Sequence, residues 1–301
     1  MLEFVTVGHV TLDRITRERG NRLQWIPGGP AVHTSFAAAS LGAKTYIVSK
    51  IGTDFGKARE KWLKRKVNTS FLKVTQASTT KFEIRYWKGS RSLRLLSKCE
   101  NLDRTDLPKG LRIRSLHLGP VIDEIPEVVA ESFAGRSTVT SLDPQGYVRR
   151  IGRGGVVLLK RWCNIRLLKR VDVLRGSTDE MRLMAGSGSV KRVLARLRRL
   201  GPSVCILTRS GKGSILLSDE GFFRIPAYEP EMIVDLTGAG DTFTGGFLLE
   251  YANSGDAVWS ACVGAAAASI KVERLGPCLI QDRKRLTERA TAVHSKVRRA
   301  G

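Results

Sequence analysis

Four adjacent residues, Gly238, Ala239, Gly240 and Asp241, combine a backbone that can wrap an anion with a side chain that can take a proton. Glycines allow a turn tight enough for successive N–H groups to point into one concavity. The first turn of a following helix adds unpaired donors and the positive end of its dipole. A phosphate suits that nest, and Asp241 beside it could accept the proton of a hydroxyl attacking phosphorus. Phosphoryl transfer to an alcohol is the chemistry these residues permit. A plain tight turn with Asp241 capping a helix is the other reading, and four residues alone do not separate the two.

Positioning such a turn takes an element on each side of it. The apolar run Met232, Ile233 and Val234 reads as the end of a strand, and the residues after Thr242 have helical spacing. The block as a whole, residues 235–248, is DLTGAGDTFTGGFL. It resembles the C-terminal signature of the ribokinase-like sugar kinases, also called the phosphofructokinase B family. A second block, Gly28, Gly29 and Pro30 followed by AVHTSFAAASLGAKTYIVSKIGTDFG, resembles that family's N-terminal signature and lies about 200 residues earlier, as in the family. The resemblance implies an α/β fold: a three-layer α/β/α sandwich with a mainly parallel central sheet and a small β-sheet lid. It also implies ATP as donor, Mg²⁺ as cofactor, Asp241 as catalytic base, and Gly238, Ala239 and Gly240 as the anion hole.

From the N-terminus, the strand run of residues 4–10 is followed by Asp13. An ionised carboxylate accepts from two neighbouring hydroxyls at once, and the family has an aspartate here that binds sugar hydroxyls; a turn residue is the local alternative. Residues 14–26 read as a hairpin around Gly20 and Asn21. Gly28 and Gly29 would let a ligand hydroxyl approach the main chain, and Pro30 suits the first position of a helix. His33 stands where the family often has asparagine, so it either donates to a substrate hydroxyl or packs elsewhere. Residues 79–100 alternate apolar and polar side chains on both sides of Gly89 and Ser90, which predicts a second hairpin. The two hairpins, residues 13–27 and 79–100, would form the lid within a single kinase domain spanning residues 1–301.

Beyond residue 100, strand runs such as residues 171–174 alternate with helices, which predicts a parallel sheet covered on both faces, with ligands beyond the carboxyl ends of its strands. Glu180 resembles the glutamate of the family's N-x-x-E element, which positions Mg²⁺ through water. Ser177 replaces the asparagine, and S-x-x-E is equally a helix capping box. Thr208, Gly211 and Gly213 resemble the nucleotide-binding loop, although alone they would be a hairpin turn. Gln145 and Arg149, in LDPQGYVRR, could hold hydroxyls of a polyol, or Arg149 a phosphate already on the substrate. With LGPVIDEIP and SIKVERLGP they bring the chain nearest to the inositol kinase branch. The expected acceptor is myo-inositol or a similar polyol, with a nucleoside or sugar phosphate as the alternative.

The 301 residues carry 51 Lys and Arg against 28 Asp and Glu, a formal charge of +23. That would suit nucleic acid, but the basic residues are spread through helix-like stretches such as KAREKWLKRKV and do not gather in a tail, which speaks against it. A non-catalytic sugar or nucleic-acid binding protein is the rival from another class. Five scattered cysteines indicate neither a disulfide framework nor a zinc site. No segment has 18 uninterrupted apolar residues, so a soluble, cytoplasmic protein is expected. The exposed lid sheet could pair two copies into a homodimer. The Ala-rich residues 255–271 read as a packed helix, and residues 282–301 as a solvated terminal one.

Overall fold

The computed structural model describes residues 1–16, 24–87 and 90–300. The elements run β1 (Leu2–Val7), β2 (Thr11–Thr16), β3 (Ile26–Gly28), α1 (Pro30–Ser40), β4 (Thr45–Gly52), α2 (Lys57–Lys64), β5 (Asn68–Thr75), β6 (Thr80–Trp87) and β7 (Ser90–Ser97). Then follow β8 (Ile113–Leu118), α3 (Glu127–Ala134), β9 (Ser137–Leu142), β10 (Arg149–Ile151), β11 (Val157–Leu159), α4 (Ile165–Leu168), β12 (Val173–Ser177), α5 (Thr178–Ala185) and α6 (Val190–Arg198). The chain ends with β13 (Val204–Thr208), β14 (Ser214–Ser218), β15 (Gly221–Ile225), α7 (Ala239–Ser254), α8 (Ala257–Val272), α9 (Arg283–His294) and β16 (Arg298–Arg299).

Ten strands form one sheet in the order β16-β15-β14-β13-β12-β9-β8-β1-β4-β5. Pairings from β13 through β5 are parallel, and β14, β15 and β16 add an antiparallel edge. Its central strands are buried on both faces, as a sheet covered twice requires. Val5, Leu174 and Leu207 pack with Phe133 of α3, Leu168 of α4, Met181 of α5 and Leu194 of α6. Their neighbours Phe4, Val173 and Ile206 point the other way, into a core with Phe247 and Leu248 of α7 and Ala261 of α8. The result is the three-layer α/β/α sandwich. A separate four-stranded sheet, β3-β2-β6-β7, has β2 parallel to β6 and its other pairs antiparallel.

Three local expectations are corrected. Residues 232–234 are not a strand: Met232 and Ile233 are exposed, and the segment is loop, tied instead by Val234 and Asp235 N–H donation to the Val272 carbonyl. β12 runs on through Arg175 and Gly176 to Ser177, because its ladder with β13 continues to Thr208. The terminal segment is half-buried rather than solvated, since Leu286, Arg289, Ala290 and Val293 face inward and the chain then returns as β16. The turn expected at Gly20 and Asn21 lies outside the described residues, as does Gly89; β6 and β7 on either side of the latter do pair as a hairpin.

Candidate active site

The turn preceding α7 is shaped by Gly238, whose φ of 76° and ψ of 4° are left-handed and cost a side chain dearly. Space adds a second requirement, because a Cβ at Gly238 would collide with the His33 ring. The loop feeding the turn is pinned from below by a buried ion pair. Lys271 donates to the carbonyl and carboxylate of Asp235, both at 2.9 Å, and to the Arg274 carbonyl at 3.3 Å. The Asp235 carboxylate also accepts from the N–H groups of Thr237 and Gly276. Burial pushes the Asp235 pKa up, but Lys271 and these bonds outweigh it and hold the carboxyl below its usual range.

Asp241, in the first turn of α7, is 8% exposed. Burial raises its pKa to about 7; nearby Asp143 and Glu180 add to the rise, and Arg175 and Arg149 oppose it. A carboxylate poised there exchanges protons readily near neutrality.

Asp241 lines a cavity of about 520 Å³ between the rim of the large sheet and the inner face of the small one. Asp13, Gly29, His33, Gln145, Arg149, Ser177, Glu180, Gly238 and Gly240 share its wall. Phe82, Ile84, Tyr86 and Leu93 give it an apolar side. A second cavity of about 330 Å³ lies beyond the turn, lined by Thr208, Gly211, Gly213, Ala239, Phe243, Ala265 and Ala268 among others. Arg175, Ser177, Ser210, Leu236 and Gly240 border both. The structure thus gathers all the expected site residues on one rim except Gly28. That residue is off both walls; it pairs with Thr11 and leaves room for the Asp13 carboxylate, with which a Cβ would clash. Thr11 donates to Asp13 at 2.9 Å.

His33 is buried, and its Nδ1 has no hydrogen-bond partner among the described residues. Burial drives its pKa down to about 3, Lys271 reinforces the shift and Asp235 opposes it, so the imidazole is neutral at pH 7. Arg149 donates to the Val121 carbonyl at 2.9 Å, which couples it to the neighbouring cavity wall. Ser177 and Glu180 do form the capping box: Glu180 Oε2 accepts from Ser177 N at 2.7 Å, and Ser177 Oγ accepts from Glu180 N. Both remain on the cavity wall, so the box and a wall position coexist.

Two further residues escaped the sequence reading. Arg175 pairs with the Asp143 carboxylate, donates to Thr208 Oγ1 at 3.3 Å, and lies so close to Gly240 that a Cβ there would collide with its Nη2. Burial disfavours its charge, but Asp143, Glu180 and Asp241 together keep the guanidinium cationic. Their signal was present but faint: Asp143 opens the DPQG strand end, and an arginine directly after the run VDVL, at a strand end, is an oddity.

Among the described residues no group of three or more His, Cys, Asp or Glu is arranged to hold a metal. Glu180 places one carboxylate on the wall of the larger cavity. No helix among the described residues is long and apolar enough to cross a membrane.

A family model for the pfkB family carbohydrate kinases matches residues 1–97 and 155–283, and the chain belongs to that family. It is a phosphotransferase acting on an alcohol group. Among curated relatives, a cytidine kinase of Thermococcus kodakarensis is 29% identical over 259 residues, covering 83% of this chain and 89% of the relative. An inositol 3-kinase of Oryza sativa subsp. japonica is 29% identical over 286 residues, covering 87% of this chain and 68% of the relative. Among solved structures, a pyrophosphate-dependent kinase in the ribokinase family, complexed with a pyrophosphate analog and myo-inositol, superposes with a TM-score of 0.81 at 22% identity. The match covers 95% of this chain and 99% of that one.

Proposed function

We propose that this protein transfers the γ-phosphoryl group of ATP to a hydroxyl of a nucleoside, with Asp241 as base and Gly238, Ala239 and Gly240 as anion hole. One observation carries the reading: two cavities meet at Gly240, and Asp241 lines the larger while the smaller has an apolar wall. An acceptor hydroxyl in the first would face a terminal phosphate entering from the second. The smaller cavity, with Ala227, Tyr228, Ile233, Phe243 and Val272, suits the flat face of an adenine. Thr208, Gly211 and Gly213 would border its ribose and phosphates.

In the acceptor cavity, Asp13, His33, Gln145 and Arg149 offer hydroxyl contacts, while Phe82, Ile84, Tyr86 and Leu93 offer a surface that a base would cover. That apolar side favours a nucleoside over the more uniformly polar inositol, and the cytidine kinase likeness points the same way. Inositol is the second reading, supported by the rice relative. Glu180 would help to hold Mg²⁺, which would supply charge neutralisation for the donor phosphates. Residues 1–301 are taken as one kinase domain in which the small sheet covers the acceptor and keeps water from competing.

The test is ADP release from Mg-ATP with cytidine, uridine, adenosine, myo-inositol, ribose and fructose 6-phosphate. Fastest turnover with a nucleoside is expected. Preference for myo-inositol would reassign the acceptor, and no turnover with any of them by folded protein would overturn the reading.

A further inference from the structure

Arg175 projects from the end of β12 to the place where the two cavities join, and no role in proton transfer, nest or acceptor binding accounts for it. We propose that Arg175 is a catalytic residue, its guanidinium contacting the oxygens of the phosphoryl group in flight while Asp143 holds it in place. This rests on the kinase reading above.

Position is the first support. Among the described residues Arg175 is the one cation on the walls of both cavities, whereas Arg149 borders the acceptor cavity alone and Lys271 is committed to three oxygens beneath the turn. Its Nη2 lies against Gly240, in the nest itself. Donor capacity is the second. Nη1 is satisfied by Asp143, but among the described residues Nε is buried without a partner and Nη2 has only a long bond to Thr208. A buried guanidinium with spare donors is expensive to keep unless something claims them, and a phosphoryl oxygen is the acceptor this place suits. Thirdly, a buried Arg–Asp pair adds little stability over apolar packing, so stability does not explain it.

In the transfer, the acceptor oxygen forms a bond to the γ-phosphorus as the bond from that phosphorus to the β,γ-bridging oxygen breaks. The hydroxyl proton goes to Asp241, and the electron pair of the broken bond leaves on ADP. Charge on the moving group spreads over its equatorial oxygens, where fixed N–H donors act most strongly. Arg175 supplies two such donors beside the amides of the turn.

The experiment compares parent, Arg175→Met, Arg175→Lys and Asp241→Asn at saturating Mg-ATP, with cytidine or myo-inositol, whichever the parent turns over faster. ATP binding is measured by calorimetry and folding by thermal melting. Arg175→Met should bind ATP within a few-fold of the parent yet lose about 10²–10³-fold in kcat, the range for removing one oxyanion donor. Free guanidinium should restore part of that rate. The acid limb of its pH profile should also move up, since Arg175 holds the Asp241 pKa down. Should Arg175→Met fail to fold, Arg175→Lys keeps a charge for Asp143 but cannot span both partners, and it should melt like the parent while losing at least tenfold in kcat. Parent-like kcat in either variant, or loss in Arg175→Met with neither guanidinium rescue nor a pH shift, would overturn the inference. If Asp241→Asn is silent while the arginine variants are unimpaired, this inference alone has failed; if the parent turns over none of the six acceptors above, the kinase reading has failed and Arg175 loses its reaction with it.

Discussion

The two cavities that meet at Gly240 are built on opposite plans. The larger, the acceptor side in the proposed reading, draws ionisable or polar side chains from many separate elements: Asp13 on β2, His33 on α1, Arg149 on β10, Arg175 on β12, Glu180 on α5 and Asp241 on α7. The smaller, the donor side in that reading, is walled chiefly by small and apolar residues, with Ala265 and Ala268 of α8 three positions apart on one helical face. Discrimination among acceptors can therefore turn on a few hydrogen bonds, each left unpaired by a wrong ligand, while the donor is held by shape. Substitutions on the two sides should separate accordingly.

The largest effect is expected at Asp241. Asp241→Asn removes the base and should lower kcat by about 10²–10⁴-fold, measured as initial ADP release with KM for both substrates determined alongside. Stability should move the other way. Because the folded pKa is about 7 against an unfolded value of 3.8, the unfolded chain releases its proton first; stability present below pH 3.8 is lost as pH rises through 7. At pH 8 the asparagine variant should exceed the parent by roughly 2–4 kcal/mol in urea unfolding, at about 1.4 kcal/mol per pKa unit. That gain should vanish near pH 4. Loss of stability at pH 8 would show that Asp241 is not a strained buried acid.

Beneath the same turn, Lys271→Met leaves Asp235 as an unpaired buried carboxylate and should cost about 3–5 kcal/mol, read from the urea midpoint. The loop from Asp235 to Gly238 serves both cavities, through Leu236 on both walls and Gly238 on one. This variant should therefore weaken donor and acceptor together, the exception that marks what the two plans share. An effect confined to one substrate would show that the loop is held by something else.

How much of this was legible in the sequence follows from how local each cause is. The glycine turn, the Pro30 helix start and the parallel strands depend on residues near in sequence, and they stand where the patterns put them. The run Met232–Val234 failed as a strand because its partner is a helix end, the Val272 carbonyl, which no local pattern reveals. Arg175 was passed over because its meaning lies in Asp143, 32 residues earlier, and Gly240, well beyond it. Apolar periodicity finds strands, but it says nothing about which charged residue at a strand end points inward. Gly28 was read for its close approach to a ligand, and what the structure adds is non-local: its lack of a side chain makes room for the carboxylate of Asp13.

A single pair of substitutions tests the division of labour directly. Ala268→Leu, filling the donor cavity, should raise KM for ATP about tenfold, equivalent to about 1.4 kcal/mol, with the acceptor KM within twofold. His33→Ala, emptying part of the acceptor wall, should do the reverse. Crossed effects of equal size on both substrates would mean that the cavities are not independent.

The smallest expected effect is an absence of change, and it bears on the acceptor side most closely. A histidine in a binding site would ordinarily make affinity pH-dependent between 5 and 8. His33 has its pKa near 3, since burial and the Lys271 ammonium both disfavour its charge, so it should stay neutral throughout that range. The KM for the acceptor should then be flat from pH 5 to 8 while kcat climbs through an acid limb near pH 7 as Asp241 ionises. In Lys271→Met one of the two forces on His33 is gone, so its pKa should rise towards the ordinary value of 6.5. A slope in acceptor KM that appears at low pH only in that variant would tie the neutral imidazole to the buried ammonium. A slope already present in the parent and kept in Asp241→Asn, which removes the other group titrating on that wall, would mean that His33 is charged when the acceptor binds and that its contacts with hydroxyls are those of a donor on both nitrogens.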